Sequence, residues 1–243
     1  MGGLLVLDGG KMKDIVVDPK HMTHSNYSSI TKHEIFNRDN YLFIKNFCDV
    51  SSLTTLPPKE RGILAYTNSL NDYYHQPLEP QVPDSLGRHD YPPHKKLYYE
   101  VKDKLELLLG EELYTTYRYD RFYFAGQKLI PHQDRDCCEI SVTIHVSTNL
   151  TRKKWPFYVL TPYEETHSMV FSPGDASIYR GCDVIHWRDE LPSRYNKAQR
   201  IFRKIMKKSD DTYYHQIFFH YVLANGYRVF STNSNSIWGT KWK

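Results

Sequence analysis

His132 and Asp134 stand two residues apart, and His186 follows 54 residues after the first of them. Two imidazoles and one carboxylate can hold one face of a metal ion and leave the opposite face open. That arrangement suits ferrous iron, which must take a co-substrate and oxygen together. Open positions mark a catalytic metal, whereas a structural site is closed. A strand sends alternate side chains to one face, so an extended segment points His132 and Asp134 the same way. The His-x-Asp pair is weak evidence by itself, because twelve histidines make a later one inevitable.

The elements that must position these residues follow from hydrophobic periodicity. Leu97, Val101, Leu105 and Leu108 recur at helical spacing, with Lys102, Lys104 and Glu106 off that face, and Gly110 ends the helix. Beyond Gly110 the chain turns β-rich. Short strands are expected over 114–124, 140–146, 157–160, 169–171, 176–179, 184–186 and 215–223, with Pro and Gly breaks between them. Many short strands after a leading helix predict an antiparallel sandwich or barrel, mainly β with flanking helices. Thr143 and His145 alternate with Val142 and Ile144, and could line its interior.

Before the helix, 41–47 reads as a strand, 1–34 as a mixed arm and 51–94 as a proline-rich loop segment. Residues 1–94 are therefore expected to pack on a core formed by 95–243. No apolar run approaches a membrane span, the start is a poor signal peptide, and Val6 breaks the myristoylation pattern after Gly2. Cys48, Cys137, Cys138 and Cys182 form no C-x-x-C pair. A reduced, cytoplasmic protein without a disulfide framework or a membrane partner is expected.

The net charge of +4 is uneven. Residues 194–208 carry seven Lys or Arg and no acid, and the remainder carries 25 basic against 28 acidic residues. Ile201, Phe202, Ile205 and Met206 are interleaved there in an amphipathic helical pattern. The basic insertion, bounded at 194–210, reads either as a surface helix on the barrel edge or as a lid over the open face of the site. As a lid it would attract an anionic substrate or partner. No nucleic-acid motif accompanies it.

The surroundings of the pair carry more information than the pair. Tyr123-Phe-Ala-Gly-Gln-Lys-Leu-Ile-Pro-His-Gln-Asp134 resembles the iron-site segment of prolyl 4-hydroxylase-type enzymes within the 2-oxoglutarate- and Fe(II)-dependent dioxygenases. The turn Pro173-Gly174-Asp175 before His186 and the order of helix, then strands, are similar too. The resemblance covers roughly 95–223. It implies a double-stranded β-helix (jelly-roll) core, with His132, Asp134 and His186 as iron ligands and Tyr123 reaching 2-oxoglutarate. It implies Fe(II), O2 and 2-oxoglutarate as participants, ascorbate as a reductant, and hydroxylation yielding succinate and CO2. Asp134 argues against the halogenase branch, which vacates that position.

The resemblance also calls for a cation on the far carboxylate of 2-oxoglutarate, roughly ten residues after the second histidine, where the basic insertion lies. Arg188 shares the face of His186 if the strand continues, and Arg194 lies nearer the family spacing. Arg188 is favoured, because a guanidinium fork on a strand has a defined direction. Arg135, Asp136 and Glu139 follow the first ligands as ligand-orienting groups or as a solvated rim. The alternative reading is a cupin-type barrel that binds a metal or ligand without oxygenase activity.

Overall fold

The computed structural model describes residues 15–16, 32–53, 74–75, 81–83, 85–233, 236–237 and 240–241. Most of the expected arm over 1–34 and much of the loop segment over 51–94 lie outside them. An eight-residue helix not expected from the sequence, α1 (Lys32–Asp39), precedes β2 (Tyr41–Ile44). The periodic helix is α2 (Lys95–Leu109), closed by Gly110 in the left-handed conformation at φ 69°. Its buried face carries Leu97, Tyr98, Val101, Leu105 and Leu109. Each such apolar side chain stabilises the fold by about 1.5–3 kcal/mol.

Two sheets follow. The larger orders β2, β10 (Ala176–Tyr179), β7 (Ile140–Thr148), β12 (Tyr213–Leu223), β5 (Leu113–Phe124), β4 (Leu86–His89) and β3 (Tyr74–His75). The smaller orders β1 (Ile15–Val16), β9 (Thr166–Met169), β8 (Phe157–Leu160), β11 (Ile185–Arg188) and β6 (Leu129–His132). Strand β9 is displaced toward the N-terminus from the 169–171 expected, and β6 was not read as a separate strand. The two sheets form a double-stranded β-helix, the jelly-roll core that the family resemblance implied.

The alternation along β7 decides what this barrel is for. Ile140, Val142, Ile144 and Val146 join Ile217, Phe219 and Tyr221 of β12 in the cluster that packs on α2. Opposite parity sends Ser141, Thr143 and His145, with Tyr214, Gln216, Phe218 and His220, between the sheets. The apolar face thus belongs to the helix layer, and the inward face of these strands carries polar and aromatic groups. Buried polar groups are costly unless a ligand or an internal network satisfies them.

One buried network lies on the helix side of the sheet, because Asp120 and His215 have the parity opposite to Tyr119 and Tyr214. Asp120 is fully buried, receives Arg88 Nε at 2.9 Å and a second contact from Arg88 Nη2, and lies 2.6 Å from His215 Nε2. Burial opposes ionisation of Asp120, but His215 and Arg88 outweigh it and hold the carboxyl well below the usual range. Removing the carboxylate strands a buried guanidinium. Asp120→Ala is expected to cost about 3–5 kcal/mol in a denaturant titration. A loss under about 1 kcal/mol, typical of exposed pairs, would show that the network is dispensable.

The basic segment does form a helix, α3 (Lys197–Ile205), but it does not cover the site. His186 pairs with His132 across antiparallel β11 and β6, and Arg188 pairs with Leu129. Strand β11 therefore carries the chain away from the two histidines. The chain returns along β12, which starts at Tyr213 and reaches His220 beside the histidine pair. Seven residues at about 3.3 Å each separate the two levels by roughly 23 Å. The lid expectation fails because the strand direction places everything between β11 and β12 at the other end of the barrel.

Candidate metal and co-substrate site

Antiparallel pairing sets His132 directly opposite His186, with ring centroids 4.3 Å apart. Asp134 follows β6, and its N–H donates to the Gly181 carbonyl at 2.8 Å. Its Oδ1 lies 3.5 Å from His132 Nε2 and 3.6 Å from His186 Nε2. All three donor atoms fall within 4.8 Å of one another, a spacing that a single ion can bridge. His132 Nδ1 is 2.8 Å from the Ile130 carbonyl and His186 Nδ1 is 3.0 Å from the Val184 carbonyl. A carbonyl accepts only, so both protons belong on Nδ1 and both Nε2 lone pairs point inward.

Electrostatics prepares the same state. Burial pushes His186 down to about 4 and His132 adds to this, against the pull of Asp134. Burial works against ionisation of Asp134, yet the His186 and His132 imidazoles outweigh it and hold the carboxyl well below its usual range. A neutral imidazole and an ionised carboxylate are what a metal requires.

Ser141 Oγ donates to Asp134 Oδ2 at 2.9 Å, and His220 Nδ1 lies 3.0 Å from the same hydroxyl. This chain ties down one carboxylate oxygen and leaves the other toward the histidines. Gly181 makes room for it, since a side chain there would meet Asp134 Oδ2 at 2.5 Å and Ser141 Oγ at 2.6 Å. Ser141→Ala is expected to weaken divalent-metal binding about 10–100-fold with the fold retained. Unchanged affinity by competition with a chromophoric chelator would remove Ser141 from the site.

A cavity of about 270 Å3 opens over the three groups. Tyr117, Tyr119, Arg121, Phe218 and His89 line it, with Arg135 near the metal-side wall. Tyr117, Tyr119 and Arg121 supply one wall, from the alternating run of β5 that continues to Tyr123. Only Tyr123 of that run was singled out from the sequence, although the spacing of two was legible. His220, Ser141 and Gly181 were also missed, because no local pattern distinguishes them.

Tyr123 and Arg188 do not line this cavity. Both are fully buried in an aromatic group with Trp155 and Tyr214, toward the end of the barrel away from His220. The Tyr123 hydroxyl receives Arg121 Nη1 at 3.1 Å, which connects the group to the cavity wall. Arg188 stacks 4.4 Å over the Trp155 ring and 5.0 Å over Tyr214, and its Nη1 donates to the Trp155 carbonyl at 2.7 Å. Among the described residues its Nε and Nη2 have no hydrogen-bond partner of ordinary geometry, and neither do Ser177 Oγ, the Tyr214 hydroxyl or Gln216 Oε1, although the Tyr214 hydroxyl lies close enough to interact with the guanidinium. A guanidinium edge with spare hydrogen-bonding capacity can take a carboxylate.

Arg194 takes no part in either region. It is on the surface, 3.1 Å from Asp211 and bonded to the Tyr195 hydroxyl. Asp136 and Glu139 are held by Arg228 at 3.2 Å and 3.3 Å, and the buried Glu139 also accepts the Leu223 N–H. Both fasten the chain around the site rather than face it. Thr143 contacts the Gln216 side chain, and His145 is buried with its ring stacked on Tyr214.

No protein-family model matches the chain, and no curated protein matches its sequence. Solved structures do match. A Pseudomonas putida prolyl-4-hydroxylase superposes with TM-score 0.53 at 10% identity, over 78% of this chain and 95% of that one. An oxidoreductase of the 2OG-Fe(II) oxygenase family from Burkholderia pseudomallei gives TM-score 0.52 at 11% identity, over 80% and 91%. EctD from S. alaskensis, solved with 2-oxoglutarate and 5-hydroxyectoine, gives 0.52 at 15% identity, over 88% and 83%. At these identities the likeness is one of fold.

Proposed function

We propose that this chain, which has the fold of the 2OG-Fe(II) oxygenases, is itself an Fe(II)- and 2-oxoglutarate-dependent hydroxylase. The observation that carries the reading is the convergence of His132, Asp134 and His186 on one point in the cavity at the barrel mouth. Buried Arg188, whose Nε and Nη2 lack a hydrogen bond of ordinary geometry among the described residues, supports it and weighs against a cupin-type module, which needs no carboxylate anchor.

The three ligands would hold the ion from one side and leave positions open toward the cavity. Bound iron with O2 and 2-oxoglutarate supplies the oxidising chemistry, in which 2-oxoglutarate becomes succinate and CO2 and the substrate gains a hydroxyl. Arg188 would pair with the far carboxylate of 2-oxoglutarate and fix its direction along the barrel. Tyr117, Tyr119 and Phe218 wall the cavity with rings that keep water out and orient the substrate C–H. Arg121 and Arg135 give that wall positive charge, which suits a substrate carrying an anionic group. A cavity of about 270 Å3 admits a side chain or a small metabolite.

Anaerobic addition of Fe(II) and then 2-oxoglutarate tests this reading. A weak visible charge-transfer band should appear only with both, followed by succinate on admitting air. Metal binding with no band and no succinate would leave the module reading.

A further inference from the structure

Helix α3 is built inside out. At about 100° per residue, Ile201, Phe202, Ile205 and the adjoining Met206 fall within an arc of about 140°. Lys197, Arg200, Arg203 and Lys204 occupy the opposite arc of about 120°. In an ordinary surface helix the apolar arc faces the protein. Here Arg203 is the one half-buried residue of the helix, stacked 4.2 Å over the Tyr195 ring and bonded to the Ser209 carbonyl. Arg200, Arg203, Lys204 and Lys208 line a groove against the barrel end, facing Glu190 and Asp210. The apolar arc points outward, with Ile201 55%, Phe202 62%, Ile205 72% and Met206 51% exposed.

The helix is nevertheless well made. Asn196 accepts the Gln199 N–H at 2.8 Å and Gln199 returns a contact to the Asn196 N–H at 2.9 Å, a complete capping box. Lys153 Nζ donates to the Tyr195 carbonyl at 3.2 Å, which brings the exposed basic loop Arg152–Lys154 alongside.

We infer that this end of the barrel docks on an anionic lipid surface, with the apolar arc of α3 in the interface and the exposed cations along its edge, Lys197, Lys204 and the Arg152–Lys154 loop, on the headgroups. A strong apolar face flanked by Lys and Arg is the pattern of helices that lie in a membrane interface. Anionic headgroups attract each such cation. A second copy of this chain docked on the same arc would instead bring the exposed edge cations Lys197 and Lys204 and the Arg152–Lys154 loop toward like charges. No described helix is long and apolar enough to cross a membrane. The inferred docking departs from the expectation of no membrane partner, which rested on the absence of a span. Docking by α3 leaves the cavity mouth on the aqueous side, since the cavity opens at the other end of β12.

Flotation of the whole protein with phosphatidylcholine vesicles, with and without phosphatidylserine, tests the inference. Wild type should float with the phosphatidylserine vesicles alone, and less so as salt is raised. Phe202→Ser combined with Ile205→Ser should weaken binding at least about tenfold. Lys197→Gln and Lys204→Gln should each weaken it about fivefold. All four positions are exposed, so melting temperature and Fe(II) affinity should stay at the wild-type values. Failure of wild type to float at low salt overturns the inference, as does equal binding to neutral vesicles. A dimer in sedimentation that Phe202→Ser with Ile205→Ser dissolves would assign the face to a second copy instead.

Discussion

His132→Ala, Asp134→Ala and His186→Ala should each abolish succinate production and weaken Fe(II) binding by more than about 100-fold, the upper range for losing only a ligand's supporting partner. The three groups act as one unit, so pairs of substitutions should do no further harm. The fold should survive all three. His132 and Asp134 sit at the mouth, outside the apolar clusters packed on α2. His186 is buried, so its truncation leaves a small void, but among the described residues its one hydrogen bond is to the Val184 carbonyl and its Asp134 contact is at 3.6 Å. The measurements are Fe(II) titration against a competing chelator, and a thermal melt of each metal-free variant. Full succinate production by His186→Ala would sink the assignment of the three ligands.

The second large effect concerns Arg188. Arg188→Lys keeps the charge but loses the Nε–Nη2 fork. A hydrogen bond to a charged group is worth about 1.5–3 kcal/mol. The 2-oxoglutarate concentration for half-maximal turnover should therefore rise about 10- to 150-fold, with Fe(II) affinity unchanged. Arg194→Ala should change neither quantity, because that side chain is engaged with Asp211 on the surface. Arg121 is the rival anchor, since it lines the cavity and bonds the Tyr123 hydroxyl. A loss of 2-oxoglutarate binding in Arg121→Met, with none in Arg188→Lys, would move the co-substrate from the deep aromatic group to the cavity wall.

Part of this was legible along the chain. The two-residue alternation of Ile140-Ser-Val-Thr-Ile-His-Val146 marked a strand with one apolar and one polar face. The stripe on 95–109 marked the helix that covers the apolar one. Local periodicity reports which side chains share a face, because that depends only on residues close in sequence. The amphipathic pattern in 194–208 likewise identified α3, yet pattern alone left open which arc meets the protein and which end of the barrel it occupies.

What the sequence determined by itself is therefore local: the alternation of the strands, the helix stripe, the cap at Gly110, and His132 with Asp134 on one short segment. Tertiary structure alone decided the rest. Pairing of β11 with β6 put His186 opposite His132, and the direction of β11 sent the basic helix to the far end. The register of β12 against β5 and β7 placed His220 at the metal level and Tyr214 beside Arg188. The physical reason is that hydrogen bonds between strands distant in sequence set depth and direction. A one-residue slip would turn every inward side chain outward without altering any local pattern.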